Sequence, residues 1–368
     1  MTLRFEPRPR ATLASPVVQR PDWTKSGVRD PKLLWLDKNE NTDPAMMAVT
    51  GRILAELDRR SVAIYPDVAP LYATLAGYHG VDPHSLVVAS GSDGIIASVF
   101  RAFIEPGDRV VLSDPTYAMY PVYAGIHGAV VVPLAYRAEA DGPRIGIAGA
   151  LATIRRERPK LVCLPNPDSP TGTVVPPEAL QDLVRAALES GALMLVDEAY
   201  HPFYDQSVVQ WIADFPNLVV ARTFSKAWGL TGVRLGYGVA TPEVATILQK
   251  VRPNYETNQV AVDIAVRLVS EFEGEMRKSV ARLNAGRDHF VGSMSDLGLR
   301  TIKTEACFSH VAFDGWSDRV HHALSEIVLY KRAFDAPCLQ GFSRFSATTP
   351  ELFQPVIDCV SSIVRPGR

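Results

Sequence analysis

The sequence contains few cysteines, and the four that are present lack the spacing of metal sites or disulfide frameworks. No CxxC pair occurs, the single CxxH spacing (Cys307 and His310) has no second pair to complete a site, and the other histidines show no metal-ligand spacing. Zinc sites and small disulfide-rich folds depend on such spacings, so we expect reduced thiols and no metal site. The cysteines are Cys163, Cys307, Cys338 and Cys359.

An excess of either charge is also missing. The formal net charge is −2 over 368 residues, whereas binding to nucleic acid depends on strongly basic patches. No apolar run reaches the length that spans a bilayer, and residues 1–10 mix Arg, Glu and Pro instead of beginning a secretory signal. We therefore expect no nucleic-acid partner, no membrane association, a cytoplasmic location and chemistry on small molecules.

Two common nucleotide-binding motifs are absent as well. The glycine-rich stretch at residues 229–238 lacks GxGxxG and does not end in Gly-Lys-Ser/Thr. Those patterns supply the phosphate contacts of dinucleotide-binding and P-loop proteins. The sequence therefore argues against both classes.

Seven short β-rich runs alternate with helical stretches between residues 86 and 240. Such alternation is typical of a mostly parallel sheet with helices on both faces, and binding sites in these sheets collect at the carboxyl ends of the strands. We predict an α/β domain with a mostly parallel seven-stranded sheet covered by helices. The runs are LVVAS (86–90), RVVLSD (109–114), AVVVPL (129–134), KLVCL (160–164), ALMLVD (192–197), LVVAR (218–222) and LGYGVA (235–240).

After about residue 250 the pattern changes to a long helical stretch at 260–297, followed by three further strand candidates. This order predicts a smaller α+β domain at the C-terminus. We therefore divide the chain into an N-terminal arm (1–42), a large domain (43–252) and a small domain (253–368). The strand candidates of the small domain are LRTIKT (299–304), FSHVAF (308–313) and SRFSA (343–347).

Two short segments that follow strands could hold a phosphate and a cation. Residues 91–94 (GSDG) open a helix, where free N–H groups and the helix dipole favour a phosphate, although a plain strand-to-helix turn has the same composition. Asp197 closes a very apolar strand. Because an unpaired charge there would be costly, we expect a cationic partner for this carboxylate.

Lys226 and Arg234 follow the next predicted strand, eight residues apart. A lysine at an inner position loses its proton more readily than one in water, as imine formation requires, and an arginine in a glycine-rich turn can fork onto a phosphate. Each residue alone is more often a surface or structural side chain. Together, the four segments supply what a phosphorylated, nitrogen-containing aromatic cofactor would need.

The order of these segments resembles the aminotransferases of fold type I, which depend on pyridoxal 5'-phosphate (PLP). Within that family the sequence is most similar to the histidinol-phosphate aminotransferase group, and the resemblance extends over nearly the whole chain. It rests on NEN (39–41), YPD (65–67), GSD (91–93), PTY (115–117), SPTG (169–172), DEAY (197–200), SK (225–226), Arg234 and SRFSATTPE (343–351).

The resemblance implies a role for each of four residues around the cofactor ring. Lys226 would hold PLP as a Schiff base and move a proton between substrate and cofactor. Asp197 would pair with the pyridinium nitrogen and so keep the ring able to accept electrons. Tyr117 would stack on the ring, and Tyr200 would donate a hydrogen bond to the phenolic oxygen. Lys226, Asp197 and Tyr200 are thus the predicted catalytic residues.

Further cofactor contacts follow from the same resemblance. Ser169 stands where the family usually carries an asparagine beside the phenolic oxygen, so a shorter hydroxyl replaces that amide. Tyr65 matches a tyrosine that reaches the phosphate from the neighbouring subunit, which implies a homodimer. The residues that would surround the phosphate are Ser92, Asp93, Ser225 and Arg234.

Two arginines are the predicted substrate contacts. Arg344 matches the arginine that grips the substrate α-carboxylate with two hydrogen bonds. Arg332 lies near the place where the group holds the distal phosphate of its substrate, so an acidic or phosphorylated substrate is conceivable.

The resemblance implies an aminotransferase that moves an amino group between an amino acid and a 2-oxo acid, or from a phosphorylated amine such as histidinol phosphate, by a ping-pong mechanism. A PLP-dependent lyase similar to the threonine-phosphate decarboxylases uses the same residues and is the alternative. A regulatory PLP-binding protein would need a DNA-binding segment, for which residues 1–42 are too short and irregular.

Overall fold

The computed structural model describes residues 8–19 and 27–364. The strands are β1 (Leu34–Leu36), β2 (Leu86–Ala89), β3 (Arg109–Asp114), β4 (Val130–Arg137), β5 (Arg144–Ile145), β6 (Leu161–Pro165), β7 (Leu193–Asp197), β8 (Leu218–Thr223), β9 (Gly236–Ala240), β10 (Arg300–Ile302), β11 (Phe308–Ala312), β12 (Val328–Tyr330) and β13 (Phe342–Ser346). The α-helices are α1 (Pro44–Ala55), α2 (Ala69–His79), α3 (Gly91–Phe103), α4 (Met119–His127), α5 (Ile147–Glu157), α6 (Pro177–Glu189), α7 (Pro242–Val251), α8 (Gln259–Glu271), α9 (Glu273–Asp296), α10 (Ser317–Leu324) and α11 (Pro350–Val364).

The large sheet has the strand order β2-β9-β8-β7-β6-β3-β4-β5. Strand β9 is antiparallel to both of its neighbours, β5 is antiparallel to β4, and all other pairs are parallel. All seven predicted strands are present, and the predicted mostly parallel sheet is confirmed. The eighth strand, β5, was not predicted because two residues at a sheet edge are too short to show any periodicity.

Continuous apolar sequence explains the central strands, since β6 and β8 are buried at every position. Helices cover such strands through one apolar face. In α6, for example, Leu180, Leu183, Val184 and Ala187 are buried at helical spacing. The central strands are therefore enclosed on both faces, and their ends are left for function.

The C-terminal part has the predicted α+β composition, but the predicted helix at 260–297 is two helices, α8 and α9. They are separated at Phe272, whose backbone leaves the helical conformation at φ −126° and ψ 17°. Strands β10, β11 and β13 form an antiparallel sheet at the predicted positions.

The segment around residue 35 belongs to the C-terminal part of the fold. Strand β1 pairs in parallel with β12, so that Leu34 lies opposite Val328. The end of the predicted arm is thus an ordered strand, and it carries the chain directly to the carboxyl edge of the large sheet. The division at residues 42 and 252 stays a prediction.

Within residues 8–19 and 27–364, no helix is long and apolar enough to cross a membrane. The same residues contain no cluster of three or more His, Cys, Asp or Glu side chains that could hold a metal ion.

We expect Gly286 to tolerate no larger side chain. It lies in α9, where an added Cβ would come within 1.8 Å of the Thr348 carbonyl oxygen. Gly286→Ala should therefore lower the free energy of unfolding by about 1–3 kcal/mol or more through overpacking. Urea denaturation measures this change.

Gly292, in the same helix, provides the matched control because nothing lies within 4 Å of its added Cβ. Gly292→Ala should raise the free energy of unfolding by about 0.5–1 kcal/mol, since alanine is the better helix former. Equal effects of the two substitutions would contradict the packing argument.

Candidate active site

A cavity of about 490 Å³ opens at the carboxyl ends of the large-sheet strands. Such strand ends are where ligands bind in open α/β sheets. The cavity is lined by ten of the twelve predicted site residues, contributed by both the large sheet and β13. These ten are Ser92, Asp93, Tyr117, Ser169, Asp197, Tyr200, Ser225, Lys226, Arg234 and Arg344.

Lys226 follows β8 and is half-buried in the cavity wall. Its Nζ donates a hydrogen bond to the Lys38 carbonyl oxygen at 3.1 Å. Burial lowers the pKa of Lys226, and the nearby positive charge of Arg344 lowers it further. The side chain is therefore placed to expose an amine that loses its proton more easily than a lysine in water.

Asp197 ends β7 and is almost completely buried. It accepts hydrogen bonds from the Ala199 N–H at 3.0 Å and from the Tyr120 hydroxyl at 3.3 Å. Burial raises the pKa of this carboxyl to about 7. The neighbouring Arg222 is already paired with Glu198 at 2.7 Å.

The cationic partner that the sequence led us to expect for Asp197 is not supplied by the protein. No ion pair reaches Asp197 from any side chain in the described part of the chain. Since an unpaired buried carboxylate is costly, and since Asp197 lines the cavity, a cation inside the cavity would satisfy it.

The N-terminus of α3 forms one end of the cavity. Gly91 has φ 78°, and no side chain caps the first turn of the helix. Arg234, itself in a left-handed conformation at φ 59°, donates to Ser225 Oγ at 3.3 Å. An added Cβ on Gly91 would lie 2.9 Å from Arg234 Nη2, and one on Gly236 would lie 2.3 Å from the Gly91 carbonyl carbon. Glycine at both positions keeps this end open for an anion.

Tyr117 forms another wall of the cavity. Its hydroxyl reaches Asp93 at 3.5 Å, and the Tyr123 hydroxyl donates to the other oxygen of Asp93 at 2.9 Å. Burial raises the pKa of Tyr117, so its hydroxyl stays protonated. Because the Asp93 carboxylate is engaged by tyrosines, its backbone N–H at the helix start is the group available to an anion.

Tyr200 lies beside Asn39 and Ser169. Asn39 Nδ2 donates to the Tyr200 hydroxyl at 2.9 Å, and burial raises the pKa of Tyr200 to about 12 although Ser169 and Asn39 oppose that rise. Ser169 therefore lies next to Tyr200, and both residues are predicted to contact the phenolic oxygen of the cofactor. The Tyr200 hydroxyl remains a donor at neutral pH.

Arg344, on β13, presents its guanidinium to the cavity. Nη2 donates to the Asp37 carbonyl oxygen at 3.1 Å, while Nε is buried without a hydrogen-bond partner. The guanidinium lies 5.2 Å from the ring centre of Phe308. A carboxylate in the cavity would satisfy the unpartnered donor.

Tyr65 and Arg332 are the two predicted site residues that do not line the cavity. Tyr65 is 74% exposed and stacks on Tyr255 with ring centres 4.3 Å apart. Arg332 and its neighbour Lys331 are both exposed, but Lys331 pairs directly with Arg344 across an antiparallel bridge. Directly opposed residues share one face of a sheet, so Lys331 lies on the Arg344 face.

Sequence reasoning missed several residues of the cavity wall. Asn39 was part of a quoted motif, but nothing in its type indicated that the N-terminal segment crosses the site. The pairing of β1 with β12 places it there, and long-range pairing of this kind leaves no local signal. The missed lining residues include Asp37, Lys38, Asn39, Thr116, Thr231 and Phe334.

Comparison with known proteins identifies the family. The family model described as aminotransferase class I and II matches residues 31–359. The chain belongs to this family. A histidinol-phosphate aminotransferase of Thermoanaerobacter pseudethanolicus is 33% identical over 86% of this chain and 89% of its own length, and one of Dehalococcoides mccartyi is 33% identical over 87% of each chain.

Solved aminotransferase structures share the fold. Histidinol-phosphate aminotransferase from Sinorhizobium meliloti, in complex with pyridoxal-5'-phosphate, has a TM-score of 0.77 at 24% identity over 90% of this chain and 91% of its own. The enzyme from Clostridium acetobutylicum has a TM-score of 0.78 at 20% identity over 91% of this chain and 100% of its own. The predicted family, fold type and class of enzyme are confirmed.

The charge on Asp197 should make the ligand-free aminotransferase less stable as the pH rises. The folded-state pKa of about 7 lies above the ordinary value of 3.8, so the folded protein holds a proton that the unfolded chain releases. The associated stability is present below the unfolded pKa and is lost as the pH rises through about 7.

Asp197→Asn removes this dependence. After removal of bound ligands, the variant should melt at a higher temperature than wild type, with a larger difference at about pH 8 than at about pH 5. Thermal denaturation of both proteins at the two pH values measures it. A difference that is independent of pH would show that burial does not perturb this carboxyl.

Proposed function

We propose that the protein is a PLP-dependent aminotransferase whose reaction takes place in the cavity at the carboxyl ends of the large-sheet strands. One observation carries this proposal: the amine of Lys226 and the unpaired, buried carboxylate of Asp197 line the same cavity as the open N-terminus of α3. Family membership supports the same activity.

The residues present fit the cofactor. The phosphate would lie at the start of α3, where Ser92, Ser225 and Arg234 provide donors and the glycines leave room. The pyridinium nitrogen would be the cation that Asp197 lacks. When bound, PLP supplies an aldehyde that an amine can hold covalently and a ring that accepts the electron pair left at the substrate Cα.

Three side chains of the protein would then act on the substrate. The Lys226 amine, with its lowered pKa, would take the proton from Cα and return it elsewhere, as a base whose pKa lies closer to neutrality does best. Arg344 would hold the α-carboxylate through its unpartnered Nε. Tyr200 would keep its hydroxyl proton and donate it as a hydrogen bond.

The substrates would be an amino acid and a 2-oxo acid, and a phosphorylated amine would be a further donor, as the names of the relatives indicate. For a second anionic group on the substrate, Lys331 is better placed than Arg332. Lys331 shares the Arg344 face, and its Nζ lies 5.7 Å from the ring centre of Phe334 in the cavity wall. The positive charge of Arg332 instead lies near Tyr330, where it opposes the rise in the pKa of Tyr330 that burial causes.

The spectrum of the protein tests this function. Purified wild type loaded with PLP should show an absorbance band that glutamate or another amino donor converts, without release of CO₂ when no acceptor is present. Lys226→Ala should lose the conversion, and its kcat should fall by about 10²–10⁴-fold or more.

Release of CO₂ without an acceptor would instead establish the lyase alternative. If neither wild type nor variant shows a band with added PLP, the proposed function is wrong. Lys250→Ala is the matched control, because this exposed lysine at the end of α7 does not line the cavity, and it should keep the conversion.

We also propose that the protein is a homodimer in the cytoplasm. Reduced cysteines fit that compartment. The dimer is supported by large apolar side chains that are exposed together near Tyr65: Val62 is 82% exposed, Ile64 53% and Tyr255 50%. Exposed apolar patches of this kind mark interfaces, and a second copy would cover this one while Tyr65 reaches the partner's cavity.

Mixing two defective variants tests the shared site. If Tyr65 acts in the neighbouring cavity, a dimer of Lys226→Ala with Tyr65→Ala holds one site with both residues intact. Random reassociation should then restore about a quarter of the wild-type sites. Activity that never exceeds the sum of the separate variants would show that Tyr65 does not act across an interface.

A further inference from the structure

The segment at residues 37–40 contacts both cations that the proposed reaction uses. Lys226 Nζ donates a hydrogen bond to the main-chain carbonyl oxygen of Lys38 at 3.1 Å. Arg344 Nη2 donates to the carbonyl oxygen of Asp37, also at 3.1 Å. Because Asp37 and Lys38 line the cavity, this segment decides which charges surround the two cations.

One carboxylate of this segment acts on Lys226. Burial is the main cause that lowers the pKa of Lys226, and the charges of Arg344 and Arg234 lower it further. Glu40 and Cys307 oppose that lowering. Glu40 is therefore near enough to favour the protonated amine, which is the form that cannot attack an aldehyde.

The other carboxylate acts on Arg344. Burial lowers the pKa of this guanidinium, whereas Tyr200, Cys307 and Asp37 oppose the change. The Asp37 carboxylate is thus near enough to attract the guanidinium that would hold the substrate carboxylate. Left without a partner of its own, it would compete with a ligand for the same cation.

Arg29 pairs with both of these carboxylates. Nη1 donates to Glu40 at 2.7 Å, and Nη2 lies 3.0 Å from Asp37 Oδ1. The three side chains are each no more than 25% exposed, so solvent screens these ion pairs only in part. The guanidinium lies 4.8 Å from the ring centre of Trp35, whose Nε1 donates to the Asp30 carbonyl oxygen at 2.8 Å. Stacking on a fixed ring holds Arg29 in place.

The main chain of the segment is held by other contacts. Ser346 Oγ donates to the Leu36 carbonyl oxygen at 2.9 Å and accepts from the Asn39 N–H at 2.8 Å. Asn41 Nδ2 donates to the Ala227 carbonyl oxygen at 3.0 Å. Loss of Arg29 should therefore leave the backbone in position and release mainly the two carboxylates.

We propose that Arg29 is a positioning residue that holds the carboxylates of Asp37 and Glu40 away from the two cavity cations, so that Lys226 and Arg344 stay free for ligands. Arg29 itself does not line the cavity, and it acts only through these two side chains. The inference rests on the proposed function, because that function requires a reactive amine and a free guanidinium.

The protonation of Lys226 tests this role without any cofactor. Acylation of each lysine by an amine reagent is followed against pH on the ligand-free full chain, with peptide mass spectrometry as the readout. Arg29→Met should move the midpoint for Lys226 up by about 0.5–1 pH unit, because an uncompensated carboxylate then stabilises the ammonium form. The midpoint of the exposed Lys250 serves as the internal standard.

A double variant separates charge from structure. Glu40→Gln alone should lower the midpoint for Lys226, and Arg29→Met combined with Glu40→Gln should return it close to the wild-type value. A merely structural role of Arg29 would not be rescued by a second substitution in its partner. Arg29→Lys keeps the positive charge and should also stay close to wild type.

Binding of succinate to the PLP-loaded protein reports on Arg344. Calorimetry should show that Arg29→Met weakens binding by about 3- to 5-fold, as expected for the loss of a partly exposed ion pair. Adding Asp37→Asn should recover the affinity, because the competing carboxylate is then absent.

Arg319→Met is the matched control. Arg319 also stacks on a tryptophan, with its guanidinium 5.6 Å from the ring centre of Trp316, but it does not line the cavity or pair with residues 37–40. Its substitution should change neither the midpoint for Lys226 nor the affinity for succinate.

An unchanged Lys226 midpoint in Arg29→Met overturns the inference, and so does a shift that the Glu40→Gln substitution fails to reverse. If Arg29→Met does not fold, an unchanged midpoint in Glu40→Gln overturns it equally. Failure of the proposed function has a different signature. In that case PLP gives no absorbance band with wild type, while the acylation of Lys226 still reports on Arg29.

Discussion

The carboxylate of Asp197, buried at the end of β7 without a protein cation, is the constraint around which the cavity is arranged. Because β6, β7 and β8 are parallel, their carboxyl ends lie at the same edge of the sheet. The charged residue at the end of β7 is Asp197, and its charge is negative. Arg222, on the neighbouring strand β8, is paired with Glu198. The fold thus leaves one buried carboxylate in the cavity wall without a cation, and a ligand with a protonated ring nitrogen would pair with it.

The other lining residues of the cavity surround Asp197 and come from two parts of the fold. The large sheet supplies the lysine, the acid and the anion-binding end, whereas the C-terminal part of the fold supplies Arg344 and Phe334. In the proposed function, binding of a flat phosphorylated ring and recognition of a carboxylate would therefore be tasks of separate structural units.

Much of the fold and part of the site could be predicted from local sequence. Buried parallel strands are nearly continuous apolar runs, so all seven were found, and their polar ends pointed to Asp197 and Lys226. Pairing between strands that lie far apart in the sequence leaves no local pattern of this kind. Asn39 reaches the site only because β1 joins β12. The proposed preference for Lys331 over Arg332 rests on strand register, since a slip of one residue turns a side chain to the other face. The break at Phe272 likewise depends on packing that periodicity does not record.

The parallel pairing of β1 with β12 also bears on how the protein is made. Residues 37–39, which line the cavity, follow a strand whose hydrogen-bond partner lies almost 300 residues later in the chain, with Leu34 opposite Val328. During synthesis β1 emerges long before its partner and must stay unpaired until β12 has been made. The large sheet can assemble on the nascent chain before that, but residues 37–39 take their place in the cavity only once β12 is available.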